Sequence, residues 1–122
     1  DEIKVGEPIS RIVKKIEDIA TSNIFSVVRD FCGHGVGLKF HENPSILHYY
    51  DSEYDNIKFI DGMIFTIEPM INAGKYQSKI LSDGWTAVTK DKTLSAQYEH
   101  TIYINGDNVE ILTESPNKAF YN

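Results

Sequence analysis

The sequence predicts a single α+β domain with mostly antiparallel strands. Three observations carry that expectation. One early stretch repeats apolar residues at helical spacing. Several later runs are short and rich in β-branched and aromatic residues. Asp-Gly and Asn-Gly dipeptides separate those runs and turn the chain back on itself. The chain has 122 residues, the length of one small domain, and 41% of them are apolar, enough to fill a core.

The elements follow in order. Glu7-Pro8 marks a helix start, because proline suits the first turn, where its missing N–H is not needed. Ile9, Ile12, Val13, Ile16, Ile19 and Ala20 then share one face, with Arg11, Lys14, Lys15 and Glu17 on the other. Thr21-Ser22-Asn23 ends the helix. Residues 24–31 read as a strand. Asp61-Gly62 is a turn, and residues 63–71 read as a second strand. Ser82-Asp83-Gly84 separates two short strand-like runs, the pattern of a tight hairpin. Residues 98–105 form a third strand, and Asn105-Gly106 turns it into residues 109–112. No internal repeat, low-complexity tract or linker interrupts this unit.

Composition narrows the function. A net charge of −6 with no basic run argues against a nucleic-acid-binding surface. No apolar run approaches membrane-spanning length, and no signal-peptide pattern is present. The lone Cys32 cannot form an internal disulfide, which fits a reducing compartment; it reads as a small buried hydrophobe. The chain opens on Asp1 rather than Met and runs straight into a charged, helix-like segment. It therefore reads as a piece of something longer.

The stretch FCGHGVGLKFHENPSILHYY, residues 31–50, concentrates the chemistry. His41-Glu42 suggests a zinc-binding H-E-x-x-H helix, but His48 lies seven positions on, not four, and Pro44 would interrupt the helix. The zinc-helix reading fails. In Gly33-His34-Gly35-Val36-Gly37, glycines flanking the histidine permit positive φ and close approach to a ligand. A glycine-rich turn with a surface histidine would satisfy the same motif. Glu68, within FTIEPM, and Glu99, within QYEHT, lie among residues that favour burial. A buried carboxylate needs a cation, a hydrogen-bond network or a raised pKa. An edge strand with its acid in water is the alternative. Convergence of His34, Glu68 and Glu99 on a metal would explain all three. One imidazole with carboxylate oxygens suits divalent first-row ions, although three ligands do not close a two-metal site. His48 reads as a packing or hydrogen-bonding residue. His100 points to the strand face opposite Glu99 and reads as structural. Trp85, after its turn, could equally anchor the core, and Lys90-Asp91-Lys92 reads as a solvated loop.

The stretches CGHGVGLKFHENPSILHYY, DGMIFTIEPMINAGK, SDGWTAVTKDKTLSAQYEHT and EILT resemble, in that order, the C-terminal half of the type I methionine aminopeptidases. The resemblance runs from Pro8 to Thr113. It implies a pita-bread α+β fold of two pseudo-symmetric halves, with residues 1–122 forming the C-terminal portion of the catalytic domain. The implied activity is metal-dependent removal of the initiator methionine from nascent polypeptides by water activated at two divalent ions (cobalt, manganese, iron or zinc). By motif position the resemblance makes His34, Glu68 and Glu99 metal ligands, with Glu99 bridging. Glu68 would also shuttle a proton. His41 would contact the scissile amide and steady the tetrahedral intermediate, and Phe40, His41, Met70 and Trp85 would bind the substrate.

The family's two aspartate ligands and a further catalytic histidine belong to the other half, and Asp1, Asp18 and Asp30 lie in the wrong contexts to replace those aspartates. The chain alone is thus expected to be inactive and to self-associate or be partly disordered. Its parent is expected to be an active monomer in the cytoplasm, or in an organelle if a targeting segment precedes it. Its substrates would be N-terminal Met peptides of nascent chains at the ribosome, with no nucleic-acid or membrane partner. The rivals are prolidases and Xaa-Pro aminopeptidases, whose last ligand motif differs from SAQYEHT, and type II methionine aminopeptidases, whose inserted helical segment is missing between His48 and Asp61. Non-catalytic pita-bread binding modules are a third, but they have lost ligands that this chain keeps.

Overall fold

The computed structural model describes residues 2–116. Its helix α1 spans Ser10–Ser22, two residues after Pro8. Pro8 and its neighbours instead lie along residues 57–59: Ile9 N–H donates to the Ile57 carbonyl and Phe59 N–H to that of Glu7. Ten short strands follow: β1 Ser26–Val27, β2 Gly33–Gly35, β3 Glu42–Ile46, β4 Ile64–Ile67, β5 Met70–Asn72, β6 Ser78–Ile80, β7 Ala87–Thr89, β8 Ser95–Gln97, β9 His100–Asn105 and β10 Asn108–Ile111. A 3₁₀ turn, Ser52–Asn56, lies between β3 and β4, with the Asp51 carboxylate accepting from Glu53 N–H at its start.

Every strand pairing is antiparallel. A five-stranded sheet has the order β10-β9-β4-β2-β3; a three-stranded sheet has the order β1-β5-β8; β6 and β7 form a separate ribbon. The core lies between α1 and the five-stranded sheet. Ile9, Val13, Ile46, Phe59, Phe65, Ile102 and Ile104 are buried together, and the Phe59 and Phe65 rings stack at 5.5 Å. The helical face is only partly covered: Val13 and Ala20 are buried, while Ile19 is 55% exposed.

Three sequence expectations are corrected. The strand expected over 24–31 shrinks to two residues. Ile24 takes a positive φ of 64°, and the N–H groups of Ile24 and Phe25 turn back to the Thr21 and Ala20 carbonyls to close the helix. The strand expected over 63–71 splits into β4 and β5 at Glu68-Pro69, since Pro69 has no N–H for a ladder. The strand expected over 98–105 begins only at His100, because Tyr98 and Glu99 lie between β8 and β9. Both expected hairpins form. Leu81 N–H meets the Thr86 carbonyl to close the β6–β7 turn, and the Asn105↔Asn108 pair leaves Gly106 and Asp107 as the β9–β10 turn.

Candidate metal centre

The two strand breaks face each other. Ile67 pairs with His100, and Met70 with Gln97, so Glu68-Pro69 lies across from Tyr98-Glu99. At this corner the paired chains pass from the five-stranded sheet to the three-stranded one. A residue inside either ladder points above or below its sheet. Glu68 and Glu99 escape that constraint by sitting between strands.

His34 reaches the same corner from β2. The β2–β3 register shifts between His34 and Gly35, which puts a bulge at the histidine. Its backbone N–H donates to Thr66 Oγ1 at 3.0 Å. The flanking glycines are required by close packing. A Cβ on Gly33 would collide with the Thr66 carbonyl, and one on Gly35 with the Asn43 carbonyl. Neither glycine has positive φ, so the expected left-handed backbone is absent. His34 Nδ1 lies 2.9 Å from the Gly35 carbonyl oxygen. With Nδ1 as donor, the Nε2 lone pair is left to face Glu68 Oε2, 3.8 Å away.

One donor atom from each of His34, Glu68 and Glu99 lies within 4.8 Å of the others. The His34 and Glu68 side chains are only 13% and 15% exposed. Burial pushes the Glu68 carboxyl above the usual carboxylate range. A hydrogen bond from the Thr66 hydroxyl opposes that rise, the charge of Glu99 adds to it, His34 opposes it, and a hydrogen bond between the two carboxyl groups adds to it again. Two carboxylates facing an imidazole lone pair in a half-buried corner are a donor set that a divalent cation fits. Among the described residues no aspartate joins them. Asp30 is held elsewhere by the Ser78 N–H and hydroxyl, and Asp1 lies outside the described residues.

A cleft of about 660 Å³ opens onto His34 and Glu68 and is lined also by Cys32, Lys39, His41 and Glu42. The His41 ring lies 4.3 Å from that of His34, nearly edge-on, and Phe40 packs at 4.7 Å against His41 and 5.6 Å from His34. The structure therefore brings His34, Glu68, Glu99, His41 and Phe40 together. It does not bring Met70 or Trp85 into the same cleft. Met70 lines a separate, smaller cavity of about 70 Å³, whose wall includes Phe31, also a cleft residue. Trp85, at the tip of the β6–β7 ribbon, is 88% exposed and anchors no core. Cys32 is half-buried at the cleft wall and not a core residue.

The remaining histidines are structural in their contacts. His48 is 2% exposed, and its Nε2 accepts the Glu68 N–H at 3.1 Å. Burial lowers its pKa to about 4. His100 Nδ1 meets Thr113 Oγ1 at 3.0 Å. Lys90, Asp91 and Lys92 are all exposed, as expected of a solvated loop, and Asp91 fixes the turn by accepting from Lys75 N–H and from the N–H and hydroxyl of Thr93. Sequence reasoning missed Thr66, which is 2% exposed and touches both His34 and Glu68. Its signal was a lone hydroxyl within the apolar run IFTI.

Residues 1–106 match the family model described as metallopeptidase family M24. The chain is 50% identical over 111 residues to the methionine aminopeptidase of Buchnera aphidicola from Acyrthosiphon pisum, covering 91% of this chain and 42% of that protein. The methionine aminopeptidase of Escherichia coli K12 gives the same identity and coverage. The crystal structure of methionine aminopeptidase from Rickettsia prowazekii superposes with a TM-score of 0.85 at 44% identity, covering 92% of this chain and 45% of that one. The chain thus spans less than half the length of these relatives. Its sheets follow the pita-bread architecture of that neighbour, and with the family model matching most of its length the chain belongs to metallopeptidase family M24, hydrolases that depend on a divalent metal.

Proposed function

We propose that the protein carrying this chain is a methionine aminopeptidase that hydrolyses the bond after an N-terminal methionine. The observation that carries this reading is the meeting of His34, Glu68 and Glu99 at one corner, beside His41 in one cleft. Identity of 50% to proteins named methionine aminopeptidase supports it. His34, Glu68 and Glu99 would hold two divalent ions, drawn from cobalt, manganese, iron and zinc, together with ligands from outside this chain. When bound, such ions supply Lewis-acid polarisation and lower the pKa of water.

The chain's own residues account for the rest. Glu68 takes a proton from the attacking water and returns it to the leaving amine. Its side chain, 15% exposed and with its carboxyl 3.8 Å from His34 Nε2, sits within the corner where that proton would be passed. His41 donates a hydrogen bond to the oxygen that gains charge on the scissile carbonyl. Phe40, packed edge-on against His41, offers an apolar surface to the methionine side chain, while Met70 and Trp85, which lie outside this cleft, are substrate residues by resemblance alone. The natural substrates on this reading are nascent chains at the ribosome, in the cytoplasm. Among the described residues no helix is long and apolar enough to cross a membrane.

The test is release of methionine from Met-Ala-Ser by the protein carrying this chain, with manganese or cobalt and then with chelator. Release that stops on chelation and falls at least about 100-fold in Glu68→Gln is the expected result. Near-normal release by Glu68→Gln would end the role given to Glu68. Cleavage of Xaa-Pro peptides instead of Met-Ala-Ser would replace the methionine reading with a prolidase-like one.

A further inference from the structure

The backbone of Glu68 is held in an unusual way. It lies outside both β4 and β5, so no strand partner takes its N–H, and Pro69 next to it has no N–H to give. Two side chains hold it instead. The Glu68 N–H donates to His48 Nε2 at 3.1 Å, and the Glu68 carbonyl accepts from Gln97 Nε2 at 3.3 Å. Of the two, His48 is the buried one, at 2% exposure, so water cannot replace its bond. An N–H left unpaired at that depth would pull the corner out of shape, and the Glu68 carboxylate would move with it.

We propose that His48 is a positioning residue for the metal corner: it holds the Glu68 backbone at the strand break and so aims the Glu68 carboxylate at the His34–Glu99 pair. It does so as an acceptor, which requires the Nδ1–H tautomer. His48 is not a ligand, because the nitrogen that would ligate is already engaged. Residues that orient metal ligands from behind are commonly worth 10- to 100-fold in metal affinity. This role rests on the metal reading of His34, Glu68 and Glu99, and its test separates the two.

The probe is cobalt(II), titrated calorimetrically into the protein carrying this chain, with circular dichroism confirming that each variant is folded at the titration temperature. Glu68→Gln is the control for the metal reading, His48→Leu removes the acceptor, and His48→Gln puts an amide oxygen near the position of Nε2. The expected result is a loss of about 10- to 100-fold in His48→Leu and recovery of most of that loss in His48→Gln. A merely space-filling histidine would not be rescued in this way. If Glu68→Gln weakens binding and His48→Leu does not, or if the glutamine fails to rescue, the positioning role is wrong and the metal site stands. If Glu68→Gln itself leaves cobalt affinity unchanged, both fall. Should His48→Leu not fold, a long-range proton–nitrogen NMR spectrum of the unmutated protein decides. The Nδ1–H tautomer at His48 is required, and the Nε2–H tautomer overturns the proposal.

Discussion

The five-stranded sheet and the β6–β7 ribbon use the same antiparallel pairing but are held by different forces. The sheet is held by burial. Phe65, Ile102 and Ile104 lie under α1, against Ile9 and Val13. The ribbon buries little: Ile80, Leu81 and Trp85 are all exposed. Its turns are pinned by two aspartates. Asp83 accepts from the N–H groups of Trp85 and Thr86 and from the Thr86 hydroxyl, while Asp91 ties Lys75 to Thr93. These bonds hold both carboxyls below their usual range, those to Thr86 leading for Asp83 and that from Lys75 for Asp91. The candidate metal corner lies where the five-stranded sheet passes into the three-stranded one, and none of its donors comes from the ribbon. Its donors come from β2 and from the ends of β4 and β9, the well-packed side, where geometry can be fixed to within fractions of an ångström. The contrast predicts that metal geometry depends on the core and barely on the ribbon.

The strongest way to break that contrast is in the core. Phe65→Ala leaves a cavity beneath the strand that carries Thr66 and leads to Glu68, and should cost about 3–5 kcal/mol in urea denaturation. A loss below about 1 kcal/mol would mean that the sheet is not held by burial.

Next is pH. The His48 pKa falls from 6.5 to about 4 on folding. The unfolded chain then binds a proton that the folded one refuses. Stability from this source is complete above pH 6.5 and is lost as pH falls toward 4, to a total of about 3 kcal/mol. Glu68, whose carboxyl is pushed up by burial, works in the opposite direction. The quantity to measure is therefore the difference in pH dependence between wild type and His48→Gln in metal-free protein. Parallel stability curves would show that His48 is not buried in the uncharged form.

The smallest effect belongs to the ribbon. Trp85→Ala should change stability by less than about 0.5 kcal/mol, because its ring is 88% exposed. A loss of several kcal/mol would mean that the tip is anchored after all.

Much of this arrangement was legible in the sequence where one residue's chemistry dominates its surroundings. The helix could be read from its apolar spacing, and the β9–β10 turn from Asn105-Gly106. His34, Glu68 and Glu99 stood out because their types sit badly in the runs that hold them. What escaped depends on partners far along the chain. The β2–β3 pair is built on glycines and a proline, residues that strand propensity disfavours. Gly33 and Gly35 are needed only because Thr66 and Asn43 approach them. The corner at Glu68 was visible in Pro69, but no local signal said that His48, twenty positions away, would take the freed N–H.

The most direct test of the account is a calorimetric titration of manganese(II) into the protein carrying this chain, compared with Glu99→Gln. Glu99 is the most exposed of the three donors, so its replacement perturbs the fold least. The account predicts saturable binding in the unmutated protein and a loss of at least about tenfold in the variant. Equal affinity in the two proteins would contradict the assignment of this corner as the metal centre.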